Sequence, residues 1–225
     1  FFKQKTAYEI YQCDWSSDVC SSDLQMITKE EIIKASGLNP VRVLNIYLFG
    51  SRVYGNSNQD SDWDVIVIAK TSSPETEVKS GNLNIHILTA DRFQDGLDQH
   101  NIRNIECIMA PDWAKLQEVH KLRFDLSMNR LRHSISHINS NSWVKCKKKI
   151  NQGDYYIGLK SIWHSMRIVM FGIQIAQHGE IINWGCANDL WKELNSKIWT
   201  WEELDERFRK FNNELLSQFR MLASK

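Results

Sequence analysis

Leu48-Phe49-Gly50-Ser51-Arg52-Val53-Tyr54-Gly55 is followed, after a polar loop, by Ser61-Asp62-Trp63-Asp64-Val65-Ile66-Val67-Ile68. The apolar positions Val41, Val43, Leu44, Ile46 and Leu48 predict a strand that runs into Gly50-Ser51. A second apolar strand begins with two carboxylates. Side chains two apart on a strand share a face, so Asp62 and Asp64 are expected to project together toward whatever Gly50 and Ser51 hold. Glycine lets a phosphate approach the backbone, and the serine hydroxyl and following amides can donate to it. Two convergent carboxylates are hard oxygen ligands of the kind Mg²⁺ takes. Together these residues point to a metal-dependent site for a nucleoside triphosphate.

The order strand, Gly50-Ser51, short glycine-containing loop, Asp62-x-Asp64 resembles the signature of the DNA polymerase beta-like nucleotidyltransferase superfamily. Its small stand-alone members with a helical C-terminal domain are the most similar. The likeness is good over residues 41–68 and extends to layout only elsewhere. It implies transfer of a nucleoside monophosphate from a nucleoside triphosphate to a small-molecule or protein hydroxyl. Two Mg²⁺ ions, or Mn²⁺ in their place, are implied at Asp62 and Asp64, with Gly50, Ser51 and Arg52 on the nucleotide. The superfamily usually adds a third carboxylate from a neighbouring strand, and that position falls here on Asn84, with His86 next on the same face. Asn84 and His86 are therefore carried as catalytic candidates, with Glu106 on the following expected strand as a substitute ligand. The missing acid also supports a second reading, a catalytically impaired member of the fold that binds a nucleotide or a protein partner.

Charge is nearly balanced, 28 Lys and Arg against 27 Asp and Glu, so no polynucleotide partner is demanded. No apolar run reaches the length of a membrane span and no signal peptide is recognisable, which predicts a cytoplasmic protein with no membrane partner. Residues 1–24 resemble the conceptual translation of a sequencing-library adapter, and are set aside as a non-native leader together with Cys13 and Cys20. Cys107, Cys146 and Cys186 are too widely spaced to suggest a zinc site or a disulfide framework.

The expected class is α+β, a small mixed-sheet nucleotidyltransferase core over residues 25–111 and a C-terminal helical bundle over 112–225. Thr28-x-x-Glu31 is a capping box that predicts a helix over 29–35. A strand over 41–48, a short helix from Arg52 to Tyr54 stopped by Gly55, and a strand over 65–69 follow. Ser80-Gly81-Asn82 reads as a hairpin turn before a strand over 83–88, and Thr89 opens a helix that turns Phe93 and Leu97 inward. A last strand is expected over 105–109. From Asp112 onward, apolar residues from Leu116 to Ile135 fall mostly at three- and four-residue spacing and predict helix. Further helices are expected over 155–177, 187–194 and 201–222. Lys160, His164 and Arg167 lie on one face of the first of these and suggest a stripe for the triphosphate, Lys160 foremost. The basic run of Lys145, Lys147, Lys148 and Lys149 reads as a solvated face.

Overall fold

The computed structural model describes residues 26–224; the leader expectation for residues 1–24, with its two cysteines, lies outside them. Helix α1 (Lys29–Ser36) opens with the expected capping box, in which Thr28 and Glu31 satisfy each other's backbone amides, and closes on Gly37 at φ 69°. A single 3-10 turn then leads into strand β1 (Val43–Phe49). One-turn helix α2 (Ser51–Tyr54), β2 (Trp63–Ala69), β3 (Glu75–Ser80) and β4 (Leu83–Leu88) follow. Helices α3 (Ala90–Asp98) and α4 (Ile102–Met109) precede the short strand β5 (Lys115–Glu118). The rest is helical: α5 (Met128–Asn151), α6 (Tyr155–His178), α7 (Asn188–Leu194) and α8 (Trp201–Leu222).

The five strands form one mixed sheet in the order β3-β4-β2-β1-β5, in which only β2 and β4 run parallel. Strands β1 and β2 sit centrally. Ile46, Tyr47, Leu48 and the run Val65 to Ile68 are all buried, as strands covered on both faces require. Helices α3 and α4 pack on β2 and β1, bringing Phe93, Leu97, Ile102 and Ile105 into the core.

Two expectations are corrected here. Residues 105–109 form the second half of α4 rather than a strand. Asn101 caps that helix by accepting from the Arg103 amide, and Ile102, Ile105 and Met109 fall at helical spacing, a pattern that a short apolar run conceals. Residues 115–118 form a sheet edge rather than helix. Their pairing is made to β1, about seventy residues away: the Gln117 side chain donates to the Val43 carbonyl, and buried Asn45 accepts from the amides of Val119 and His120. Such a partner outweighs local periodicity. The sheet thus reaches past Pro111, and the first long helix starts only at Met128.

Helix α6 is the axis of the helical part. Every residue from Ser165 to Ile175 is buried, which is what an apolar helix surrounded by neighbours looks like. Helix α5 lies along it, α8 packs against both, and α7 closes one end. Asn139 of α5 ties the three together by donating to the Ser165 carbonyl and to Asn212 of α8. Among the described residues no helix is long and apolar enough to cross a membrane.

Candidate active site

The centre of the site is the turn between β1 and α2. Gly50 sits at φ 83°, ψ −163°, a conformation side-chain-bearing residues avoid, and a Cβ built there would overlap the Asp64 carboxylate. The antiparallel register sets Phe49 opposite Asp64, so the second strand delivers its carboxylate against the Gly50 backbone. Gly55, at φ 73°, ends α2 by donating its amide to the Ser51 carbonyl.

The loop between α2 and β2 is held from within and from outside. Asn58 accepts from the Asp60 amide and the Ser61 hydroxyl, and that hydroxyl in turn accepts from the Asn58 amide. Arg52 donates to the Ser61 carbonyl and lays its guanidinium over the Trp63 ring at 4.4 Å. Its charge therefore braces the segment that carries Asp62. Asp62 itself is exposed just ahead of β2, whereas Asp64 is half-buried one step inside it.

Asn84 stands beside Asp64 in the parallel register, and its side-chain nitrogen donates to Asp64 Oδ1 at 3.1 Å. Its carbonyl oxygen is buried and has no hydrogen-bond partner. Such an atom is costly to leave unsatisfied, and it lies next to a carboxylate. Burial pushes the Asp64 carboxyl up from its ordinary value; the Asn84 hydrogen bond and the Lys160 charge oppose the shift, and Asp62 adds to it. Two carboxylates and an unsatisfied amide oxygen fit a hard divalent cation such as Mg²⁺. Among the described residues no group of three or more His, Cys, Asp or Glu forms a metal cluster.

His86 lies two residues further along β4, with its ring 6.0 Å from that of Phe49. Burial and the nearby Arg103 charge hold it below its ordinary value, so it is neutral at pH 7. Lys160, exposed on α6, reaches Asp64 electrostatically and stands 5.7 Å over the ring of Tyr156, one helical turn away. The fold thus gathers Gly50, Ser51, Asp62, Asp64, Asn84, His86 and Lys160 around one end of the β1–β2–β4 surface.

Three expected contributors lie elsewhere. Glu106 is buried on α4, where it pairs with Arg167 at 2.9 Å and accepts from the Tyr54 hydroxyl; it has no oxygen to spare for a metal. Arg167 is turned into the core with its guanidinium 3.7 Å over the Tyr54 ring, and His164 accepts from it at 3.0 Å. The expected phosphate stripe on α6 therefore reduces to Lys160. The residues that sequence reasoning missed are Tyr54 and Asn188. Tyr54 carried a signal, since an aromatic one turn after Gly50-Ser51 must pack against whatever covers the turn. Asn188 carried none, because its bonds to the carbonyls of Tyr54 and Gly55 span more than 130 residues.

Residues 30–110 match the family model described as polymerase beta, nucleotidyltransferase. Among solved structures, the chain is similar to a nucleotidyltransferase-like protein from Exiguobacterium sibiricum 255-15, with 13% identity, 86% of this chain and 72% of the other covered, and a TM-score of 0.31. It is also similar to an aminoglycoside 6-adenyltransferase from Bacillus subtilis, with 10% identity, 88% and 89% coverage, and a TM-score of 0.25. No curated protein matches it. The Gly-Ser turn, the paired acids and strands β1 to β4 of the mixed sheet all lie inside the segment that matches this nucleotidyltransferase family model.

Proposed function

We propose that this protein transfers a nucleoside monophosphate from a nucleoside triphosphate to a hydroxyl group of a small molecule or protein. The observation that carries the reading is the contact of Asp64 with the Gly50 turn on one side and with Asn84, whose carbonyl oxygen lacks a partner, on the other. Gly50 and Ser51 hold the phosphates, with Lys160 opposing them from α6. Asp62, Asp64 and Asn84 would hold Mg²⁺, which when bound would neutralise phosphate charge and lower the acceptor hydroxyl's hold on its proton. In the reaction the acceptor oxygen bonds to the α-phosphorus, the bond from that phosphorus to the bridging oxygen breaks, and pyrophosphate leaves. His86, neutral at pH 7, takes the hydroxyl proton. The exposed Tyr156 ring beside Lys160 offers a face of nucleobase size.

Asn84 also supports a second reading, nucleotide binding without turnover, since an amide leaves the site one negative charge short. Labelled ATP, GTP, CTP and UTP with Mg²⁺ in a lysate separate the two. Transfer requires wild type to label an acceptor and the Asp62→Ala, Asp64→Ala double variant to label none. Equal labelling by the double variant rejects the assignment, and binding without labelling selects the second reading.

A further inference from the structure

Helix α2 has four residues, too few to stand by itself, so its position comes from its surroundings. Those surroundings are one buried polar cluster that the transfer reaction does not use. The Glu106 carboxylate accepts from Arg167 on one oxygen and from the Tyr54 hydroxyl on the other, and both members of the ion pair are almost wholly enclosed, 2% and 3% exposed. The guanidinium also lies flat over the Tyr54 ring, and its second terminal nitrogen donates to His164 Nδ1. Tyr54 returns its amide to the Gly50 carbonyl at 3.1 Å. At the far end of α2, Asn188 of α7 donates to the carbonyls of Tyr54 and Gly55. Ring, hydroxyl and terminal carbonyls of α2 are thus held by α4, α6 and α7.

A buried Arg–Glu pair is a poor way to gain stability, because desolvation consumes most of the attraction and apolar residues of the same volume often serve better. What the pair adds is orientation, since a planar guanidinium that must satisfy Glu106 and His164 allows Tyr54 only one place to stack. We propose that Arg167 is a positioning residue for the phosphate turn: through Glu106 and Tyr54 it fixes the Gly50–Ser51 backbone, so triphosphate affinity depends on a helical residue that touches no phosphate. This rests on reading Gly50–Ser51 as the phosphate-binding turn.

The test uses the full chain and measures Mg²⁺-dependent binding of ATP, GTP, CTP and UTP and of inorganic tripolyphosphate. It compares wild type with Arg167→Met, Arg167→Lys, Tyr54→Phe, and Asn212→Ala as a packing control between α5 and α8. Loss of a preformed turn weakens nucleotide and tripolyphosphate alike, by about tenfold or more in Arg167→Met and Tyr54→Phe. Arg167→Lys recovers part of that loss, and Asn212→Ala stays within about twofold of wild type although its melting temperature falls. Should Arg167→Met fail to fold, Tyr54→Phe, which keeps the ring and removes one oxygen, decides the matter. Wild-type affinity in Tyr54→Phe overturns the positioning role while leaving the turn as the phosphate site. A wild type that binds neither nucleotide nor tripolyphosphate rejects the turn itself and the inference with it.

Discussion

At the residue scale the site depends on what stands beside Asp64. Gly50 must lack a side chain because the carboxylate occupies the space of its Cβ, and Asn84 must be small and polar because it completes the same contact. If Asn84 is the place of a weakened metal ligand, Asn84→Asp restores the missing charge but sets a second carboxylate against a half-buried first one. Without metal the variant should melt below wild type, and it should gain more from added Mg²⁺, because a cation that binds only the folded state stabilises in proportion to its affinity. Transfer should rise as well. Thermal melts with and without Mg²⁺, set beside nucleotide-transfer rates, check this; unchanged metal response and rate would show that Asn84 is not a ligand. The shared face of Asp62 and Asp64 was read from the two-residue period of a strand, whereas Asn84 was named only through the resemblance, as the place of the family's third acid. The place of Arg52 was not legible, since its commitment to the Ser61 carbonyl and the Trp63 ring depends on how the intervening loop folds back.

Elements were legible where their signals are local and were misread where a distant partner decides. The box Thr28–Glu31 and the Ser80-Gly81-Asn82 turn both lie within a few residues of what they control. Strand β5 and helix α4 do not. The edge strand exists because Asn45 and the β1 backbone need partners, and α4 was hidden because five apolar-rich residues suit either state. The local signals carry measurable weight. Thr200 accepts from the Glu203 amide while Glu203 bonds the Thr200 amide, so Thr200→Ala should cost the protein about 1 kcal/mol. Urea unfolding measures it. Because α8 packs on α5 and α6, nucleotide affinity should not change; a fall in affinity would show that α8 reaches the site.

For the whole molecule the question is what joins the sheet to the helical bundle, and the answer is a junction with a built-in sensitivity to acid. His164 sits there on α6, accepting a hydrogen bond from Arg167 and lying near Lys145 and Lys160. Burial, then Arg167 and the two lysines, push its pKa down to about 3 from an ordinary 6.5. The unfolded chain therefore binds a proton that the folded one refuses throughout that interval. Stability from this group is fully present above about pH 6.5 and is lost as pH falls toward 3, at up to about 1.4 kcal/mol per pH unit. His86 and His100 are also held low, mainly by burial, and add to the same trend. Asp64 works the other way, since its raised carboxyl favours the fold as it becomes protonated. Between pH 7 and 5 the histidines should dominate. His164→Gln keeps an acceptor for Arg167 and removes the titration. Comparing urea unfolding at the two pH values, the variant should lose about 1–2 kcal/mol less than wild type after allowance for solvent screening. An identical loss in both proteins would mean that an imidazolium is tolerated beside Arg167, and that the pair of Arg167 with Glu106 is open enough to water to share the junction with a second charge.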